Sequence, residues 1–383
     1  MKILEMTTFL RGGAGVFVTR LTESLRRRNH HVHVVSTGEV EQLTDWDELL
    51  NCLGQIDTTH HQFNFFKREP DIFWAETERL SELLLKEQFD VIHAHAGVPA
   101  LGASIARKMA GLNIPIIATF HSWSKDRPNW MNVQDTYAFN QCQHVFFDSQ
   151  AYMAYGSSFG LTSRHEVIYP GLLIDPTPYL DKRQNCRLAL LEQLNLPNNV
   201  RLISNLAEIT ERKGQLDLIK SLPLVLEQED VYLLFIGECR NEHYRNLINQ
   251  TIDEHKLSEK VRFMGWVDDP YEIVAGTDLF VFPSYSEGLG MAIAEAISLG
   301  VPAVFSSIEG MKDIEDILGE YSMGTFEAGN IPDIAEKILQ VLRKDASRKS
   351  VMMDKGAELI RTAFAFDTTV TKYEKAMYHL VNR

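Results

Sequence analysis

Short apolar runs alternate with longer stretches of helical periodicity along most of this chain, and no other feature limits its fold so strongly. In the first half the runs are Ile3 to Met6, Val32 to Ser36, Val91 to Ala94, Ile116 to Phe120, Val145 to Asp148 and Val167 to Tyr169. In the second half they are Leu202 to Asn205, Tyr232 to Ile236, Val261 to Met264, Leu279 to Phe282 and Ala303 to Phe305. Such runs predict strands buried on both faces, and strands alternating with helices predict a parallel sheet. The two series are separated by Pro170, Gly171, Asp175, Pro176 and Pro178 and then the polar stretch Asp181 to Cys186, which together predict a domain boundary. The expected architecture is therefore α/β, with two doubly wound domains over residues 1–175 and 180–365. Their strand ends would face a shared cleft, since open α/β sheets bind ligands there. A last helical pattern at 366–383 carries Val370, Tyr373, Met377 and Leu380 at helical spacing and can pack on either domain, including back on the first.

Composition narrows the function. The 383 residues suffice for two cores of ordinary size. A formal net charge of -14, from 52 acidic and 38 basic side chains, argues against nucleic acid as a partner, because phosphate binding needs neutralising cations. Cys52, Cys142, Cys186 and Cys239 have neither zinc-site nor disulfide-framework spacing, so a reducing compartment is expected. With no signal-peptide layout and no apolar run near the roughly 18 residues of a membrane span, the expected location is the cytoplasm.

The second half holds the most unusual stretch, Phe282 to Pro302. Glu287 and Glu295 stand there with seven residues between them, across a loop containing Gly288, Leu289 and Gly290. The helix expected over Met291 to Leu299 is Met, Ala, Ile and Leu all round, apart from Glu295 and Ser298. It should be buried, and a buried carboxylate needs a hydrogen-bonding partner from the chain or a ligand. Upstream, Arg212 and Lys213 precede Gly214 at a strand end. That pairing suits a diphosphate, arginine gripping two oxygens and lysine adding a point charge, although an exposed basic turn has the same sequence. At Gly265, Trp266 and Val267 another strand ends where backbone groups can read a base edge.

In the first half, Arg11-Gly12-Gly13-Ala14-Gly15 runs into a helix expected near Val16. Glycines let a backbone approach an anion at a helix amino terminus, and a tight turn alone would also account for them. The dinucleotide fingerprint is not met, because its third glycine is missing and Ser36 and Thr37 follow the second strand in place of an acid. Arg20, Arg26, Arg27 and Arg28 read as a solvated helix end, with anionic lipid head groups as the alternative. Asp45-Trp46-Asp47 reads as a helix start capped by Thr44 and not as a metal motif. His93 and His95 share one side of a strand end, a third metal ligand being nominated by no spacing, and His121 ends the next strand.

Together these pieces resemble glycosyltransferase family 4, retaining enzymes of the GT-B fold with two Rossmann-like domains. The likeness spans essentially the whole chain, and the paired glutamates around Glu-Gly-Leu-Gly are its most specific part. It implies that Glu295 accepts hydrogen bonds from the ribose and that Glu287 holds a hydroxyl of the donor sugar. Leu289 and Gly290, next to Gly288, would offer amides to the sugar and diphosphate. Lys213 would neutralise the diphosphate, and the backbone near Trp266 and Val267 would hold the base. Gly13 would face the leaving phosphate and His121 the transferred sugar. Two departures stand out. Ala207-Glu208-Ile209 occupies the place of the usual Gly-Arg-Leu, so either Arg212 moves in or Lys213 works with less help; Pro170 stands where asparagine is common.

The resemblance implies transfer of a hexose from a nucleotide sugar, UDP-glucose or UDP-N-acetylglucosamine at family level, to a sugar or lipid-linked acceptor. No metal and no cofactor are expected, fixed cations serving instead, and domain closure about 170–178 would complete the site. His93, His95, Trp123, Lys125, Arg127 and Trp130 are the expected acceptor rim. The alternatives are a GT-B nucleotide-sugar epimerase, or an inactive nucleotide-sugar-binding protein, the latter motivated by Glu208.

Overall fold

The computed structural model describes residues 1–10, 12–37, 46–56, 58–65, 69–121 and 127–382, without the side chains of 46–50. It divides into two compact units, the first Met1–Leu173 with Ala365–Arg383, the second Ile174–Phe364. The first unit runs β1 Lys2–Thr7, α1 Gly12–Arg27, β2 His31–Ser36, α2 Trp46–Gln55, β3 Thr59–Gln62, α3 Pro70–Glu87, β4 Val91–His95 and α4 Gly97–Met109. It continues with β5 Ile116–Phe120, α5 Asn129–Phe139, β6 His144–Phe147, α6 Gln150–Ser158 and β7 His165–Val167. The second unit runs α7 Thr177–Gln193, β8 Arg201–Leu206, α8 Gln215–Leu226, β9 Val231–Ile236, α9 Glu242–Glu254, β10 Val261–Gly265, α10 Pro270–Ala275 and β11 Leu279–Phe282. It ends with α11 Met291–Ser298, β12 Ala303–Ser306, α12 Lys312–Leu318, β13 Thr325–Phe326, α13 Ile331–Leu342 and α14 Ala346–Ala363, after which α15 Phe366–Val381 belongs to the first unit.

Both sheets are parallel and share one order about a central strand. The first reads β3-β2-β1-β4-β5-β6-β7 and the second β10-β9-β8-β11-β12-β13. Strand order reverses between β1 and β4 and between β8 and β11, the switch points at whose carboxyl ends such sheets bind ligands.

Strand periodicity sorts the first sheet's side chains. Leu4, Met6, Ile92, Ala94, Ile116 and Ala118 face one core, while Ile3, Val91 and Ile117 face another with Phe17 of α1 and Tyr373 of α15. On that second face the register pairs Glu5 with His93, Thr7 with His95 and His95 with Thr119. The face is therefore apolar at the amino ends and polar toward the carboxyl ends. Helix α15 covers it by burying Thr369, Val370, Tyr373 and Met377. Arg28 pairs with Asp367 and, at 2.9 Å, with Glu374, which also meets His30 Nε2 at 2.7 Å.

Three expectations need correction. Helix α1 begins at Gly12 and not near Val16, so Gly12 and Gly13 lie in its first turn. The polar stretch 181–186 is no linker but the middle of α7, whose arginines are answered by backbone carbonyls: Arg183 donates to Gly300 O at 2.7 Å and Arg187 to Val200 O at 2.7 Å. The strand expected at Val167 to Tyr169 is His165–Val167. A helix does follow Asp45, but Thr44 and Asp45 lie outside the described residues.

Candidate functional site

In the second unit the switch point brings Arg212, Lys213 and Glu287 together. Leaving β8, the chain turns through Arg212 and Lys213 to Gly214, and leaving β11 it enters the loop 283–290. A Cβ on Gly214 would sit 2.1 Å from Pro283 O, and one on Gly310 1.8 Å from Glu287 O, so only glycine lets these segments pass so close to the loop. The result is a convergence on one oxygen. Glu287 Oε1 accepts from Lys213 Nζ at 2.6 Å, Ser284 Oγ at 2.6 Å and Arg212 at 3.1 Å. Lys213 lies 5.0 Å over the Phe282 ring, and burial lowers its pKa against the opposing pull of Glu287. Arg212 is half exposed and reaches the same carboxylate. Glu208 is exposed in the β8 loop and adds a weak favourable field at Lys213.

Glu295, on α11, has a partner that its own helix does not reveal. Tyr271 of α10 donates its phenol to the carboxylate, and burial nevertheless raises Glu295 from 4.5 to about 7, the tyrosine opposing. Glu295 is partly buried, whereas Ser298 is fully so. Gly288 is partly buried, Leu289 is buried, and Gly290, with φ 65°, caps the amino end of α11. Trp266 is 63% exposed and Val267 partly buried. Beside them a pocket of about 650 Å³ opens at the ends of β9 and β10, lined by Ile209, Gly237, Arg240, Arg245, Phe263 and Gly265.

In the first unit Gly13 is exposed, with open space where a Cβ would be. His121 follows β5; its Nδ1 meets Asp148 Oδ2 at 2.9 Å and its Nε2 meets His95 Nδ1 at 2.9 Å. His95 Nε2 meets Glu5 Oε2 at 2.6 Å, and His93 Nδ1 lies 2.9 Å from the same oxygen. This corrects the acceptor rim: His93 and His95 are buried beneath Phe17 and Tyr373, because Glu5 compensates them inside the sheet's covered face. Burial raises Glu5, but His93 and His95 outweigh it and hold the carboxyl down at about 2. Burial, then the charge of His93, lowers His95 to about 3. Among the described residues, Glu5, His93 and His95 are the one trio whose ligand atoms lie within 4.8 Å of one another. Glu5 is the third group that spacing did not nominate, and hydrogen-bond contact between its Oε2 and His95 already occupies that side of the trio.

Of the remaining rim, Arg127 donates to Asp135 at 2.6 Å, Trp130 is exposed, and Trp123 and Lys125 lie outside the described residues. The arginine cluster is largely balanced by acids. Arg20 and Arg27 pair with Glu23 at 3.3 and 2.6 Å, and Arg28 ties α1 to α15. No helix among the described residues is long and apolar enough to cross a membrane.

Glu5, Asp148, Ser284 and Tyr271 were missed by sequence reasoning. Glu5 had a signal, an acid within an apolar run, and Asp148 ends a similar run. Nothing near Tyr271 or Ser284 in the sequence marks them.

Comparison with known proteins adds independent findings. A family model described as Glycosyltransferase Family 4 matches residues 11–175, and one described as Glycosyl transferases group 1 matches 187–358. The chain is 22% identical over 377 residues to N-acetyl-alpha-D-glucosaminyl L-malate synthase of Bacillus anthracis, covering 97% of this chain and 94% of that protein. It is 23% identical to the O-antigen biosynthesis glycosyltransferase WclY of Escherichia coli, covering 87% and 94%. A crystal structure of Anabaena HepE in complex with UDP and glucose matches with a TM-score of 0.83 at 19% identity, covering 99% of this chain and 100% of that one.

Proposed function

This chain belongs to glycosyltransferase family 4 and has the two Rossmann-like domains of the GT-B fold, and from that premise we propose that it moves a hexose from a uridine diphosphate sugar to a sugar or lipid-linked acceptor, with retention and without a metal. That it is a glycosyltransferase of glycoconjugate synthesis rests on the family models and relatives. The finer reading rests on one observation, the convergence of Lys213, Arg212 and Ser284 on Glu287 Oε1 at the second sheet's switch point. Breaking a sugar-phosphate bond puts negative charge on the leaving diphosphate, and fixed cations in a water-poor site stabilise it most. Lys213, largely shielded from water, and Arg212 supply that charge on this reading, while Glu287 holds the pair in place and accepts a hydroxyl of the sugar. The 650 Å³ pocket beside Gly265 takes the base and Glu295 the ribose. UDP is the chosen nucleotide because the HepE structure binds it. With retention, the incoming hydroxyl attacks on the leaving group's own face, and no residue is assigned as a covalent nucleophile.

The test is a thermal-shift screen of nucleotide sugars against plain nucleoside diphosphates, followed by transfer assays with NMR of the product's anomeric configuration. A UDP-hexose should stabilise most and the product should keep the donor's configuration. Unchanged nucleotide affinity and transfer in Glu295→Gln and Lys213→Ala would remove the site. Donor turnover without acceptor would indicate an epimerase, and nucleotide binding with no turnover would indicate the inactive protein that Glu208 motivates.

A further inference from the structure

The buried chain from Glu5 to Asp148 can be counted in protons. It has three links: Glu5 Oε2 to His95 Nε2 at 2.6 Å, His95 Nδ1 to His121 Nε2 at 2.9 Å, and His121 Nδ1 to Asp148 Oδ2 at 2.9 Å. Each link needs one hydrogen, and ionised carboxylates bring none. Three hydrogens on two imidazoles is one more than two neutral rings carry, so one ring is an imidazolium. His95 is the unfavourable place for the charge. It is buried, its ring centroid is 4.0 Å from that of His93, and His93 already lies at ion-pair distance from Glu5. Burial and His93 depress its basicity to about 3. A neutral His95 donates from Nε2 to Glu5 and turns a bare Nδ1 toward His121.

We infer that Glu5 and Asp148, acting at the two ends of the chain through His95, hold His121 as an imidazolium, a fixed positive centre at the carboxyl end of β5 and not a base. Glu5, His95 and Asp148 are positioning residues in this arrangement. The groups facing the pair are Glu5 from β1, His93 and His95 from β4, Thr119 from β5, Asp148 after β6, Phe17 from α1 with its ring 5.0 Å from His121, and Tyr373 from α15. Both N–H groups of His121 are spent on protein acceptors, so the ring cannot take a proton from an acceptor hydroxyl. It contributes charge and does not abstract a proton. That consequence rests on the proposed transfer reaction; the protonation state does not.

The test is a long-range 1H–15N NMR spectrum of the histidine rings in the full-length protein, His121 being assigned from the signals lost in His121→Gln. At neutral pH both His121 nitrogens should carry hydrogen. In Asp148→Asn one of the two ring hydrogens should be lost at the same pH, and kcat should fall about tenfold while KM for the donor stays unchanged. His95→Phe, which removes the acceptor at Nε2, should show the same direction and decides the matter if Asp148→Asn does not fold. One bare nitrogen on the wild-type His121 ring at neutral pH, as a protonated Asp148 would leave, overturns the inference, as do variants whose ring keeps both hydrogens at that pH. Absence of transfer with any donor would sink the proposed reaction and leave the ring spectra to be read as before.

Discussion

The two sheets have the same strand order about their switch points, yet they treat a buried carboxylate in opposite ways. Glu5 meets two imidazoles and is held at about 2, whereas Glu295 meets a single phenol and rises to about 7. Burial raises both, so the difference lies in the number and charge of the partners. In the first unit each ring of the chain from Glu5 to Asp148 is answered by another group of the protein, although Glu5 Oε1 and Asp148 Oδ1 are buried without a hydrogen-bond partner. In the second unit one neutral donor meets the carboxylate on α11, and two cations collect on one carboxylate at the neighbouring loop. On the proposed reading, a hydroxyl-rich, diphosphate-bearing ligand completes that second arrangement. The imidazole chain of the first unit is suited to fixing charge in place.

The largest effect is expected where that difference is chemical. Lys213→Met removes the shielded cation and should lower kcat about 10²–10³-fold, measured in a transfer assay with the best donor from the thermal screen. Arg212→Met, at a half-exposed position, should cost less. Equal losses would mean that the two cations are equivalent and that burial does not concentrate the effect on Lys213.

Next is acid stability, which tests the first unit. Glu5 is ionised well below its unfolded pKa of 4.5, so its contribution is complete above 4.5 and is lost as pH falls through about 2. The shift corresponds to about 3 kcal/mol. His95 adds the same sign: the unfolded chain binds its proton below 6.5 and the folded one only near about 3, so stability falls as pH drops through that window. Denaturant unfolding across pH should show a steep acid limb that Glu5→Gln flattens. Superimposable acid limbs would mean that the network carries no linkage.

Much of this was legible in the sequence, and the gaps have identifiable causes. The apolar strands and the glutamate-bearing loop stand out because hydrophobic periodicity and glycine spacing are local. Strand β3, Thr59-His60-His61-Gln62, carries no apolar pattern because it is an edge strand. The middle of α7 resembled a linker because its arginines are satisfied by groups outside the helix, Gly300 O for Arg183 and both Val200 O and the Asp278 carboxylate for Arg187. Glu5 was visible as an acid in an apolar run, but its partners lie some 90 residues away and are brought together only by the β1–β4 register. The same holds for Tyr271, on a helix separate from the one that bears Glu295.

Glu295 should give the opposite pH profile. Its folded pKa lies above the unfolded 4.5, so stability is full below 4.5, declines as pH rises toward about 7 and is level beyond. Glu295→Gln should therefore stabilise the protein above pH 7 by about 1–2 kcal/mol, discounted for partial exposure, and do nothing below 4.5. Nucleoside diphosphate affinity should fall about tenfold if the ribose is held there. A variant less stable than the wild type above pH 7 would contradict the raised pKa.

The smallest effect separates the two networks most cleanly. Tyr271→Phe deletes the donor that opposes burial, so Glu295 should titrate above about 7 and the stability decline should extend to higher pH. Above that pH the cost should be up to about 1 kcal/mol, the net worth of one hydrogen bond. In acid, where the carboxyl is already protonated, it should nearly vanish. Repeated in Glu295→Gln, the substitution should lose most of its pH dependence, since a carboxamide has no charge for the phenol to stabilise; the double-mutant cycle reads this coupling directly. The acid limb set by Glu5 should be untouched, because Tyr271 belongs to the other unit. A cost that is the same at every pH and in both backgrounds would make Tyr271 a packing residue and leave Glu295 without a partner from the chain.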